Sequence, residues 1–183
     1  MKTVFVVIFF AVCAVAQDAT AVAAAESACG PKNVNFDADA DSTNHPTPQP
    51  DPGKALVYFV EDLGQCPGCG DGGAGFVNNV NDAIVKVGMD GSWLGAGRGA
   101  SYLFFSAAPG EHHLCVNWQS RLESRSRALS FANFTAETGR VYYFRARLFP
   151  GHGDYALDLD PVNSDEGNYL VAASAASVSH PKK

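Results

Sequence analysis

Between Lys54 and Pro161 the chain is a succession of short apolar runs, each closed by turn-forming residues, and this punctuation constrains the fold more than any other feature. Asp90-Gly91 separates Ala83–Met89 from Ser92–Leu94. A two-residue type I′ loop needs positive φ at both positions, which Asp tolerates and Gly adopts freely, so a hairpin is expected with Val87 opposite Leu94. Ala108-Pro109-Gly110 separates Ser101–Ala107 from Glu111–Gln119. Pro presets φ and Gly supplies positive φ, the chemistry of a type II turn. Read as a hairpin, this pair puts Phe105 near Leu114 and Leu103 near Val116. Glu137-Thr138-Gly139 divides Ala128–Thr135 from Arg140–Phe149 in the same way, and Pro150–Gly153 leads into Tyr155–Pro161.

Alternation within the runs gives their faces. With Phe149 opposite Asp154, Arg145 faces Asp158 with Arg147 diagonal to it, while Phe144 meets Leu159 and Leu148 meets Tyr155. One face is then apolar and the other carries cross-strand ion pairs, the pattern of a half-buried sheet. The 101–119 region is apolar on both faces: Leu103, Phe105, Leu114 and Val116 on one, Tyr102, Phe104 and Cys115 on the other. That places it centrally, with a helix or a tethered arm over the second face. Ser164-Asp165-Glu166 opens a short helix to about Ser174, with Ser164 as N-cap and Tyr169, Leu170 and Ala173 facing the sheet. The fold class expected is all-β: an antiparallel β-sandwich of about seven strands with a short C-terminal helix.

The remaining chain divides by composition. Lys2, the apolar run Val4–Val15 and the small-x-small Ala14-Val15-Ala16 read as a signal peptide over 1–16, cleaved after Ala16. The run is shorter than the ~20 residues of a membrane span. Val12 before Cys13 disfavours lipid anchoring, because a small residue normally precedes a lipidated cysteine. Residues 17–53 read as a flexible arm and linker, since Pro46, Pro48, Pro50 and Pro52 among polar neighbours suit neither a helix nor a central strand. The sandwich is placed at 54–161, the helix and a polar, basic tail at 162–183. Cys29, Cys66, Cys69 and Cys115 remain after cleavage, an even set suited to an oxidising compartment. Four cysteines allow three pairings. The favoured one joins Cys66 to Cys69 across a tight local loop and Cys29 to Cys115, pinning the arm to the domain.

The run VKVGMDGSWLGAGRGASYLFFSAAPGEHHLCV (Val85–Val116), with GRVYYFRARL and VNSDEGNYLVAASAASVSHPKK downstream, resembles the bacterial exported family called domain of unknown function 2846. The likeness covers about residues 54–183. The Asp-Gly and Pro-Gly-x-His hairpins are also loosely similar to PEGA-type β-domains. The first resemblance implies an exported or lipid-anchored β-domain and carries over no catalytic residue, because that family has no established activity. The Gly- and Cys-rich stretch at 64–75 and the lipidation site depart from its pattern.

Chemistry-bearing clusters have mostly structural readings. Cys66-Pro67-Gly68-Cys69 sits in a Gly-rich loop rather than at a helix start, where a dipole would lower a thiol pKa, so a disulfide is favoured over a redox dithiol or a metal pair. Gly70–Gly75 matches G-x-G-x-x-G by letter but lacks the helix and acidic residue of a dinucleotide site, so no cofactor is expected. His112 and His113 are adjacent and point to opposite faces of a strand, and no metal site is expected of them. Asp37, Asp39 and Asp41 lack the Gly and Glu that a calcium loop requires, and read as a solvated acidic linker. Arg121, Arg125 and Arg127, with Arg145 and Arg147, form a possible anion patch for a glycan, lipid headgroup or partner; pairing with Glu123, Asp158 and Asp160 is the plainer reading. No G-x-S-x-G or triad context appears. A net charge of −6 is the wrong sign for nucleic acid. The expected function is a non-enzymatic exported envelope module, periplasmic or extracellular, binding an envelope protein or glycan or serving structurally. The alternatives are a thiol-redox accessory working through Cys66 and Cys69, or a metal-binding envelope protein.

Overall fold

The computed structural model describes residues 21, 23–26, 29–63, 83–119, 129–150 and 155–183. Residues 21, 23–26 and 29 are helical, and the elements lying wholly within the described residues are β1 (Phe36–Asp41), β2 (Ala55–Glu61), β3 (Ile84–Met89), β4 (Ser92–Arg98), β5 (Ser101–Ala107), β6 (Gly110–Trp118), β7 (Leu129–Ala136), β8 (Val141–Pro150), β9 (Tyr155–Val162), α1 (Ser164–Ala173) and β10 (Ala175–Pro181). They make a six-stranded sheet in the order β1-β10-β5-β2-β8-β9 and a four-stranded sheet in the order β4-β3-β6-β7. The sandwich and its C-terminal helix are as expected. The strand count is higher, and the large sheet is mixed, because β2 runs parallel to β8 and β10 parallel to β5.

Turn geometry is consistent with the pairings found. Asp90 (φ 52°) and Gly91 (φ 81°) both have positive φ, and this type I′ loop keeps β3 and β4 paired. The register differs from the expected one: a bulge leaves Leu94 without an opposite residue, so Val87 faces Gly95. The expected 101–119 hairpin does not form. β5 pairs with β2 and β10, whereas β6 pairs with β3 and β7 in the other sheet. Likewise β7 and β8 lie in different sheets. At the second connection only Gly139 has positive φ, and type I and II turns splay the strands they join. Both connections therefore arch from one sheet to the other. The face assignments survive, because alternation does not depend on the partner.

Between the sheets lies the main core, including Val57, Phe59, Val85, Val87, Leu114, Val116, Trp118, Phe144, Leu148 and Leu157. β8 and β9 pair two residues away from the expected register, with Arg145 opposite Asp160 and Arg147 opposite Asp158. A shift of two preserves the face of every side chain. The outer face of the large sheet carries a second core of Leu56, Tyr58, Val60, Tyr102 and Tyr143 under Leu170 and Val171 of α1. Asn163, not Ser164, caps α1: its Oδ1 accepts from the N–H groups of Asp165 and Glu166, each at 3.0 Å. Tyr169 does not face the sheet and is 71% exposed.

Two segments read as linker and tail are strands. β1 pairs antiparallel with β10 over its whole length and supplies the edge of the large sheet. Phe36 and Ala38 are buried against Ala96, an alternation that the three aspartates mask in the sequence. Asp37 pairs with Lys182 and Asp39 with Arg98, both at 3.1 Å. Serine hydroxyls join the sheets at both edges. Ser177 Oγ donates to the Ala96 carbonyl at 2.6 Å, the Ala96 N–H donates to Ser179 Oγ at 3.1 Å, and the Leu159 N–H donates to Ser130 Oγ at 3.1 Å.

Candidate functional site

The Cys29–Cys115 disulfide is present, with Cα atoms 5.4 Å apart. Cys115 points out of the small sheet, so the arm after Cys29 crosses that sheet's outer face. Gly88 allows the passage: a Cβ there would lie 2.4 Å from the Cys29 carbonyl oxygen. The arm is fastened residue by residue. Trp93 Nε1 donates to the Pro31 carbonyl at 3.0 Å and Lys86 Nζ to that of Val34 at 2.8 Å, with the ammonium 4.5 Å above the Trp93 ring. The Gln119 amide then bonds both backbone groups of Phe36. Cys66, Cys69, the Gly70–Gly75 stretch, Arg121, Arg125, Arg127 and the 1–16 segment lie outside the described residues. Arg145 and Arg147 are engaged, at 2.5 Å to Glu166 and 2.7 Å to Asp160.

His112 joins the β3–β4 turn to the β5–β6 arch. Its Nδ1 is 2.6 Å from Asp90 Oδ2 and its Nε2 is 2.7 Å from the Ala108 carbonyl oxygen. Burial opposes its charge, but the Ala108 carbonyl and the Asp90 carboxylate outweigh that and raise its pKa. Both partners are acceptors, so the ring that satisfies them carries two protons. His113 turns away to Asn133, with Nδ1 2.7 Å from Oδ1. Among the described residues no three His, Cys, Asp or Glu side chains gather as a metal-ligand set.

Glu61 ends β2 on its inward face, fully buried beside Gly97. Neither carboxyl oxygen has a hydrogen-bond partner of good geometry among the described residues. Burial pushes its pKa well above the ordinary range, against a weaker opposite pull from the backbone of Gly99 and Val85. It is an inward-facing acid sealed from solvent, and its burial favours the protonated form.

The concave site lies on the other face of β2. Residues 45–50 run over the outer face of the large sheet as a strap, with Pro46, Pro48 and Pro50 half-buried and His45, Thr47 and Gln49 exposed. Without N–H groups the prolines cannot join a ladder, but their carbonyls and rings suit an aromatic surface. Tyr102 Oη donates to the Pro46 carbonyl at 2.9 Å, and His45 Nε2 lies 2.8 Å from the Val171 carbonyl oxygen, tying strap to helix. Between strap and helix is a hollow of about 220 Å³. Leu56, Tyr58 and Tyr143 of the sheet line it, with Asn168 and Val171 of α1 and with His45, Thr47 and Gln49 of the strap. The Tyr58 and Tyr143 rings stack with centroids 5.3 Å apart and planes 8° from parallel. Tyr143 Oη donates to Asn168 Oδ1 at 2.7 Å, whereas the Tyr58 hydroxyl makes no hydrogen bond among the described residues. Burial, with smaller contributions from Tyr143 and Tyr102, pushes the Tyr58 phenol up to about 12, so it remains a donor at physiological pH.

None of the hollow's residues was singled out as a site from sequence. The available signals were the second apolar face of β5 and the prolines recurring at every other position. The chain matches no protein-family model, and a search of curated proteins finds no match either.

Proposed function

We propose that this protein is a non-enzymatic, exported module of the bacterial envelope that holds its ligand or partner in the Tyr58–Tyr143 hollow. The observation carrying the reading is that hollow: Tyr58, Tyr143 and aliphatic side chains line it together with His45, Thr47, Gln49 and Asn168, and an apolar lining with a few polar groups is the usual anatomy of a binding site. The buried Cys29–Cys115 disulfide supports an oxidising compartment. Among the described residues no helix is long and apolar enough to cross a membrane. The alternative thiol-redox reading depends on Cys66 and Cys69, which lie outside those residues.

Co-sedimentation of the purified protein with washed cell envelopes tests the reading. Val141 is 38% exposed at the hollow's wall, and Val141→Asp puts a charge there without disturbing the core. Wild-type protein is expected in the pellet, and the folded variant roughly tenfold less, because a bound ligand would desolvate the carboxylate. Equal recovery of the two, or none of either, would overturn it.

A further inference from the structure

We infer that His112 is a pH-operated clasp: as an imidazolium it ties the β3–β4 turn to the β5–β6 arch, and as a neutral imidazole it lets go of the arch. The exported reading gives the clasp a stimulus, since the pH outside a cell is not set by the cytoplasm, but the clasp does not depend on that reading.

The clasp joins three separate segments. From β6, His112 places Nδ1 2.6 Å from Asp90 Oδ2 on the turn and Nε2 2.7 Å from the Ala108 carbonyl oxygen on the arch. Its side chain is 11% exposed. Phe134 of β7 lies beside the ring, with centroids 5.4 Å apart, so water has little access to replace a lost partner. A carboxylate and a carbonyl only accept, and both nitrogens must therefore donate. A neutral ring has a single N–H. The charged carboxylate is the stronger acceptor and keeps it. The Nε2 lone pair then faces the Ala108 oxygen at the same short distance. Two acceptors so placed repel each other, and the arch moves away.

The titratable groups around the ring can be named element by element. On the turn, Asp90 also accepts from the His113 N–H through Oδ1, at 2.9 Å, which fixes its carboxylate. On β6, His113 is turned away to Asn133. Glu111 shares with His112 and His113 the lining of a surface hollow of about 230 Å³. On β8, Tyr142 stands behind Phe134 with its hydroxyl bonded to the backbone of Thr135 and Glu137. Asp90 is thus the one charged group hydrogen-bonded to the ring among the described residues. Burial of the ring opposes its charge, but Ala108 and Asp90 outweigh that and raise the histidine pKa. Burial raises Asp90 too, but its bonds from His113 and His112 carry it below its ordinary value. The clasp is therefore complete below the unfolded histidine value of about 6.5, down to the range where Asp90 takes a proton. It is lost as pH rises through the raised folded value of His112.

Imidazole 15N NMR on the oxidised full-length mature protein, from pH 5 to pH 9, tests the inference. His112 is expected to titrate above 6.5, doubly protonated below its midpoint and protonated at Nδ1 alone above it. The amide shifts of Ala107, Ala108, Gly110 and Glu111 should move with the same midpoint. Hydrogen exchange of those amides, corrected for its intrinsic pH dependence, should quicken about three- to tenfold across it, the equivalent of one lost hydrogen bond. Asp90→Asn keeps the turn, because Asn-Gly suits a type I′ loop, and should lower the His112 midpoint. His112→Gln should abolish the pH dependence of the arch. A His112 midpoint at or below 6.5, a neutral ring protonated at Nε2, or a midpoint unmoved by Asp90→Asn would each overturn the inference. So would arch shifts that persist in His112→Gln with their midpoint unchanged, because they would then report another group, such as Glu61.

Discussion

At the scale of single residues, Glu61 is the most unusual group in the described structure. A carboxylic acid facing a sandwich core is stable there only in its protonated form. Its folded pKa is raised, so the folded state holds the proton more tightly than the unfolded chain. Below the unfolded value, about 4.3, both states are protonated and ionisation costs nothing. As pH rises from there towards the folded value, the unfolded chain releases its proton first and stability falls, by up to about 1.4 kcal/mol per pH unit. Glu61→Gln removes that loss at nearly constant shape. Urea unfolding of the two proteins from pH 4 to pH 8 is expected to show the glutamine variant gaining on the wild type as pH rises. A difference independent of pH would mean that Glu61 is not neutral in the folded protein. Nothing local in the sequence marks Glu61. It follows Val60 at the end of an apolar run, and only the opposing sheet, through Gly97, shows that its carboxyl points inward rather than to water.

At the scale of elements, the seat of α1 on the large sheet depends on one small residue. A Cβ on Gly167 would lie 2.2 Å from Tyr143 Cγ and 2.6 Å from both Cδ atoms, so the helix backbone rests directly on the phenol ring. In an exposed helix, Gly→Ala gains about 1 kcal/mol. Here the methyl must displace the helix or the ring, and overpacking of that kind costs about 1–3 kcal/mol. Gly167→Ala is therefore expected to lower the urea midpoint, and because Tyr143 lines the hollow, to perturb the tyrosine near-UV circular dichroism as well. A raised midpoint would show that α1 is not seated on Tyr143. The helix itself was legible from Ser164-Asp165-Glu166, but of the face expected against the sheet only Leu170 is buried, while Tyr169 and Ala173 are exposed. Tyr169 is the larger apolar residue, yet Gly167, Leu170 and Val171 face the sheet, because close approach to Tyr143 requires a residue without a side chain.

At the scale of the whole molecule, the two sheets are joined by three kinds of link: arching connections, serine hydroxyls at the edges, and the arm. The edge strand β4 lies against the edge strand β1 and its neighbour β10, and the edge strand β7 lies against the edge strand β9. This limits the open edges that invite aggregation. The disulfide anchors the arm that leads into β1, and it closes a loop spanning 86 positions. Replacing Cys29 and Cys115 together with Ala is expected to cost roughly 2–5 kcal/mol, read as a lower denaturant midpoint that reductant no longer shifts. A midpoint equal to that of the oxidised wild type would mean that the arm's hydrogen bonds alone hold it.

What the residues determined unaided was local: strand identity, inward and outward faces, the type I′ hairpin and the helix start. These follow from φ preferences and from a side-chain period of two, which need no knowledge of the partner strand. Only the tertiary structure decided which strands share a sheet, that Phe36–Asp41 and Ala175–Pro181 complete the larger one, and that the proline-rich strap and α1 enclose a hollow over Tyr58 and Tyr143. Those outcomes depend on contacts between residues far apart in the chain. For β1 and β10 the favourable energy resides in pairing with each other, and neither segment alone carries an apolar pattern strong enough to announce it.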